Sequence, residues 1–172
     1  MKVQKMALLG VLTAAAIVIA ILESFIPSMG IPGVKMGLSY IVILIILYEL
    51  GIWEAGVVNL LRVLVVSLAR GTFLSMGFLM SLTGAALSFG IMVLFYLLIK
   101  KFSIIGVSVI GSVFHVTGQI IIAMIFLGSA YIFLYLPIIA ISAIITGVFV
   151  GITAKLIIKT GIIRKQREKY NF

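Results

Sequence analysis

Long apolar blocks run through the chain, separated by short stretches where proline, glycine and charged residues gather. A membrane-crossing helix needs roughly 20 apolar residues, and the first block, about 6–26, meets that length. Pro27, Gly30, Pro32, Gly33 and Gly37 then punctuate a loop. A second block at about 36–50 is shorter, so that a tilted or partly re-entrant helix is as consistent with it as a full span. Gly51, between Glu49 and Glu54, marks a tight turn into a third block at about 52–69. Further blocks follow at about 73–99, ending on Lys100 and Lys101, at 104–127 and at 131–158. Residues 159–172 form a basic tail. The pattern predicts an all-α integral membrane protein, a single domain of six transmembrane helices, with no internal repeat.

Composition supports that class. Mean hydropathy is +1.41 over 172 residues, and only 10% of them are charged. Cysteine is absent, which excludes disulfides, thiolate metal sites and cysteine nucleophiles. Aspartate is absent too, and glutamate occurs only at 23, 49, 54 and 168, which removes most hydrolytic and Mg²⁺-dependent chemistry.

The net charge of +9 does not point to nucleic acid, because of where the cations fall. Lys2, Lys5, Lys100, Lys101 and the six basic residues from Lys155 to Lys169 share one side of a six-span topology. Only Lys35 and Arg70 fall on the other. The positive-inside bias therefore puts both termini in the cytoplasm and the protein in the cell membrane, as a multi-pass chain. The first block is long and lacks a clear small-x-small cleavage site, and it is expected to remain as a helix rather than serve as a signal peptide.

Arg62 changes the picture most. An arginine near the centre of a membrane helix costs roughly 2.5–3.5 kcal/mol on the insertion scale, so it normally faces a partner or a wet cavity. At 100° per residue, Asn59, Arg62, Val66 and Arg70 fall within an arc of about 80° on the third helix. That face carries an amide and two cations. Two readings of Arg70 stand, a ligand contact or a side chain snorkelling to the interface.

Glu23, near the end of the first span, is the expected partner of Arg62 or Arg70, and such a pair would be structural. With Lys35, three cations face one carboxylate. A ligand carboxylate or phosphate would balance them, and an arginine fork suits both groups. His115 and Gln119, one turn apart on the fifth span, form another polar stripe with Ser108, Gly111 and Ser112. This stripe serves either helix–helix hydrogen bonding or a ligand. With no second His and no Cys, neither a metal site nor a cofactor is expected. Tyr40, Tyr48, Tyr96, Tyr131, Tyr135 and Trp53 read first as interfacial aromatics. Small residues at Ala16 and Ala20, with Gly10 and Ala14 before them, permit close approach of another helix. Gly147 and Gly151 do the same, there for packing within the chain.

The run Ile31-Pro-Gly-Val-Lys-Met-Gly-Leu-Ser-Tyr-Ile-Val42, after Leu22-Glu-Ser-Phe-Ile-Pro27, resembles the membrane family called heptaprenyl diphosphate synthase component I, or Gx transporter. Asn59-Leu-Leu-Arg62, Phe102 to Gly111, His115 and Gln119 extend the likeness. That family is in turn similar to the substrate-binding S components of energy-coupling factor (ECF) transporters. The resemblance implies a six-helix subunit that captures a small ligand from outside beneath the loop between its first two helices. It also implies docking, through Ala16 and Ala20, on a coupling transmembrane protein driven by two ATPases. No Gly-x-x-x-x-Gly-Lys-[Ser/Thr] occurs, so ATP hydrolysis would be borrowed. The alternative is a non-catalytic membrane accessory subunit of heptaprenyl diphosphate synthesis. Prenyl transfer by the usual route needs aspartate-rich motifs for Mg²⁺, and the chain has none. No enzyme activity is expected.

Overall fold

The computed structural model describes residues 2–25, 37–98 and 102–170, and among these there is no strand. Within the described residues seven α-helices follow one another: α1 (Lys2–Glu23), α2 (Tyr40–Glu49), α3 (Ile52–Ala69), α4 (Met76–Leu98), α5 (Ile104–Leu127), α6 (Leu136–Thr160) and α7 (Ile162–Tyr170). A 3-10 turn, Ala130–Tyr135, leads into α6. Five of these segments are long and apolar enough to cross a membrane.

The short one is α2. Its ten residues rise about 15 Å, half the thickness of a bilayer core. Every residue from Val42 to Leu47 is buried, together with Tyr40. A helix that is apolar on all sides belongs in a core, and α2 forms the middle of the largest one, between Ala16 of α1, Ala55 and Val58 of α3, Met92, Val107 and Val150. The second apolar block is thus a central peg of half height.

Contacts fix the direction of each helix. Lys5 pairs with Glu54, bringing the start of α1 to the start of α3. Tyr48 near the end of α2 meets Tyr96 near the end of α4, ring centroids 5.0 Å apart. Phe95 meets Phe102 just before α5, at 5.4 Å. The Arg167 guanidinium of α7 donates to the Glu49 carbonyl at 3.0 Å, capping α2. The first and last helices therefore start and finish at one end of the bundle, and successive helices alternate in direction. Between α2 and α3 the chain reverses at Gly51, whose φ of +130° an L side chain rarely adopts. The tail folds as α7 instead of trailing away.

The α4–α5–α6 layer is held by backbone contact. A Cβ on Gly118 would stand 2.9 Å from the Gly84 Cα, and one on Gly147 would stand 2.8 Å from the Val109 Cα. Ser108 donates to the Gly147 carbonyl at 2.7 Å. Small residues let membrane helices approach this closely, and close approach exposes carbonyls to hydroxyl donors. Gly147 and Gly151 pack on α5, within the chain.

A buried arginine and the pocket beside it

Arg62 stands ten residues into α3 and is 6% exposed. Its Nη2 donates to Asn59 Oδ1 at 3.0 Å, one turn back on the same helix. Nη1 donates to the Ser39 hydroxyl at the start of α2. The guanidinium lies over the Tyr40 ring, its carbon 4.6 Å from the centroid. Hydroxyl, amide and ring replace the water that a cation loses on entering the membrane. None of the three carries a negative charge.

The polar chain continues inward. Asn59 Nδ2 donates to the Ala85 carbonyl of α4 at 3.2 Å. The Tyr40 hydroxyl reaches that carbonyl and His115 Nδ1, both at 3.4 Å. The Tyr40 and His115 rings meet edge to face at 5.2 Å. Gln119 Nε2 is 3.2 Å from His115 Nε2. The residues singled out on separate helices, Asn59 and Arg62 on α3 and His115 and Gln119 on α5, thus belong to one network. Ser39 and Tyr40 of the central peg join the two halves. Tyr40 is buried and is no interfacial aromatic, whereas Trp53 is 81% exposed and Tyr131 79%.

Glu23 does not pair with Arg62. Its carboxylate accepts from two backbone amides, Gly37 N–H on one oxygen and Leu38 N–H on the other at 3.0 Å. The ion pairs among the described residues are Lys5–Glu54 and Arg164–Glu168. The structural Glu23–Arg62 pair is replaced by a tether from the end of α1 to the chain entering α2. Its reason is geometric: the free amides before a helix are strong donors, and a carboxylate satisfies two at once. Lys35 lies outside the described residues.

Beside Arg62 is a cavity of about 80 Å³. Ala20, Glu23, Gly37, Ser39, Arg62, Val63, Val66, Ser67, Arg70, Thr72, Gly77, Phe78, Ser81 and His115 line it. These come from the end of α1, the starts of α2 and α4, the C-terminal half of α3 with the turn after it, and the middle of α5. The cavity therefore sits toward the bundle end opposite the two termini. It brings Glu23, Arg62, Arg70 and His115 together; Asn59 and Gln119 support from behind. Ser67, Thr72 and Ser81 line the cavity without having been singled out, since isolated hydroxyls in apolar helices carry little sequence signal. Arg62 Nε and Ser88 Oγ are buried without a hydrogen-bond partner. No cluster of three or more His, Asp or Glu able to hold a metal occurs among the described residues.

Ala16 is fully buried and Ala20 nearly so, and they pack inward. Ala16 joins the core around α2, and Ala20 lines the cavity. Among the exposed small residues of α1, Gly10 and Ala14 line, with Thr13, Ile17, Val57 and Leu61, an apolar groove of about 700 Å³ between α1 and α3.

No curated protein and no solved structure matches the chain. A family model described as heptaprenyl diphosphate synthase component I matches residues 12–157, a stretch that holds α2, the Arg62 network and the described lining of the cavity, and the chain belongs to that family.

Proposed function

We propose that this protein is the substrate-capture subunit of an importer of the energy-coupling factor type, binding a small anion at Arg62. One observation carries the reading: a buried guanidinium lines a cavity, has a free Nε–H and has no carboxylate partner among the described residues. A permanent cation in the membrane interior favours a bound counter-ion, and intramembrane charges mark substrate sites more often than scaffolds. Arg70 and His115 add to the site from the mouth and the floor, and Lys35 would extend it from the preceding loop. The ligand enters from the end opposite the termini, which puts the termini in the cytoplasm and the protein in the cell membrane.

In this reading the subunit is not an enzyme and borrows its energy from a coupling protein and two ATPases. Docking falls on the outward groove at Gly10 and Ala14, where small residues and an exposed Trp53 leave room for a helix. The test is purification of the tagged protein in detergent, probed for the host's energy-coupling module, with Gly10→Leu/Ala14→Leu as the control. Recovery of the module, lost in the control, supports the reading.

The family description favours a second reading, a membrane accessory subunit of heptaprenyl diphosphate synthesis. The chain's own donor set does not fit Mg²⁺-diphosphate chemistry. It has no aspartate, and the carboxylate at the cavity, Glu23, is engaged by two amides. Under that reading the synthase chemistry lies in a partner, and purification recovers a prenyltransferase without a coupling module.

A further inference from the structure

The outer face of α6 is apolar along most of its length. Ile138, Ile141, Ile145, Phe149, Ile152 and Leu156 are all exposed. At 100° per residue they fall within an arc of about 80°, and on a membrane-spanning helix such a stripe faces hydrocarbon. Two lysines end it. Lys159 lies within the same arc and Lys155 about 40° to one side, both exposed. At 1.5 Å per residue they stand about 26 and 32 Å beyond Ile138. The hydrocarbon core is about 30 Å thick, so a stripe that starts at one of its faces ends with both ammonium groups among the headgroups at the other.

The chain then turns back. Gly161 adopts a left-handed conformation, φ +65°, and α7 follows. Ile163 packs against the core around α2, and Arg167 caps that helix, so α7 is pinned to the bundle end. Lys165 stands on the opposite side of α7, with the exposed Ile162 within about 60° of it. Residues 155–169, all of them described, carry six cations and one carboxylate, Glu168, which Arg164 engages at 3.1 Å. Glu54, near the same end, is held by Lys5. An acidic protein surface would match the cations alone. A phospholipid matches the cations and the apolar stripe together.

We infer that the α6–α7 elbow is a binding surface for anionic phospholipid, with Lys155, Lys159 and Lys165 on the headgroup and the acyl chains along the exposed face of α6. It lies at the bundle end away from the Arg62 cavity and does not depend on what that cavity binds. The test titrates phosphatidylglycerol, and separately phosphatidylcholine with the same acyl chains, into the detergent-purified full chain and follows the melting temperature. Each cation beside an anionic headgroup layer contributes about 5-fold, so three partly screened lysines should favour phosphatidylglycerol by about 10-fold or more. Lys155→Gln/Lys159→Gln/Lys165→Gln should bring the two lipids within about 3-fold of each other, and the corresponding triple arginine variant should keep the preference. These side chains are exposed, so both variants should melt where the parent does without lipid. Salt at about 1 M, which shortens the screening length to about 3 Å, should erase the preference in the unaltered chain.

Equal affinity for the two lipids overturns the assignment. So does a phosphatidylglycerol preference that survives the glutamine variant, because the lipid then sits elsewhere. Inorganic phosphate that raises the melting temperature as far as phosphatidylglycerol does would show an anion site without a lipid. If the lipids bind alike and the glutamine variant instead loses a partner protein on purification, the elbow is a protein-docking surface and the lipid assignment falls.

Discussion

The Arg62 guanidinium rests on the face of Tyr40, 4.6 Å from its centroid, and that contact ties the half-height helix α2 to the membrane-spanning α3. The ring supplies electron density without supplying charge. Arg62 is therefore held in place but not neutralised, which is what a reusable anion site requires. A carboxylate in the same position would hold the arginine more firmly and close the site to ligand.

Removing the cation tests this. Arg62→Ala is expected to abolish anion binding while the melting temperature in detergent stays level or rises, because a buried charge without a counter-ion is lost together with its desolvation cost. A large fall in melting temperature would show that the guanidinium is a structural pillar instead.

Glu23→Ala is expected to behave in the opposite way. It leaves the Gly37 and Leu38 amides without their acceptor, at a cost of about 1–3 kcal/mol. Glu23 and Arg62 line one cavity without pairing, so the double substitution should depart from the sum of the two single effects by no more than about 1 kcal/mol. A double variant milder than that sum by more than about 1 kcal/mol would reveal a hidden ion pair.

These pairings mark where sequence reasoning stops. Asn59 and Arg62 lie three residues apart on one helix, so periodicity alone places them on one face, and His115 with Gln119 follows the same rule. The bounds 52–69 and 104–127 coincide with α3 and α5, since uninterrupted apolar runs end at clear breakers. The encounter of Tyr40 with Arg62 and His115 spans up to 75 residues of chain and depends on how deeply α2 is inserted, which no local pattern encodes. Glu23 eluded prediction for another reason. Its partners are backbone amides, and every residue but proline has one. The Ala16 and Ala20 spacing shows that a helix can come close, not which helix does.

The Tyr40 hydroxyl can be separated from its ring. Tyr40→Phe keeps the face beneath Arg62 and deletes two long hydrogen bonds, to the Ala85 carbonyl and His115. The expected loss of stability is under about 1 kcal/mol with anion binding retained. Tyr40→Ala removes the ring as well, opens a cavity in the central core and should cost about 3–5 kcal/mol, as for other large aromatic truncations. Equal losses from the two variants would place the hydroxyl, not the ring, at the centre of the network.

The side of the membrane on which the termini lie can be read with single cysteines, since the chain has none of its own. Ser75, in the exposed α3–α4 connection, and Lys165, exposed on α7, stand at opposite ends of the bundle. Ser75→Cys should react with a membrane-impermeant maleimide in intact cells, and Lys165→Cys only after permeabilisation. The reverse result would turn the Arg62 cavity toward the cytoplasm and rule out capture from outside.

The glycine crossing beneath His115 offers a last test, one of rigidity. A Cβ on Gly84 would meet the His115 carbonyl at 2.8 Å and its ring at 3.0 Å, and neither backbone can retreat without parting α4 from α5. Gly84→Ala is therefore expected to cost about 1–3 kcal/mol by overpacking and to weaken anion binding as His115 shifts. On the same helix, a Cβ added to Gly90 would meet nothing within 4 Å, so Gly90→Ala should be neutral or stabilise by up to about 1 kcal/mol. If Gly84→Ala destabilises without touching binding, the α4–α5 crossing supports the fold alone and His115 is not part of the working site.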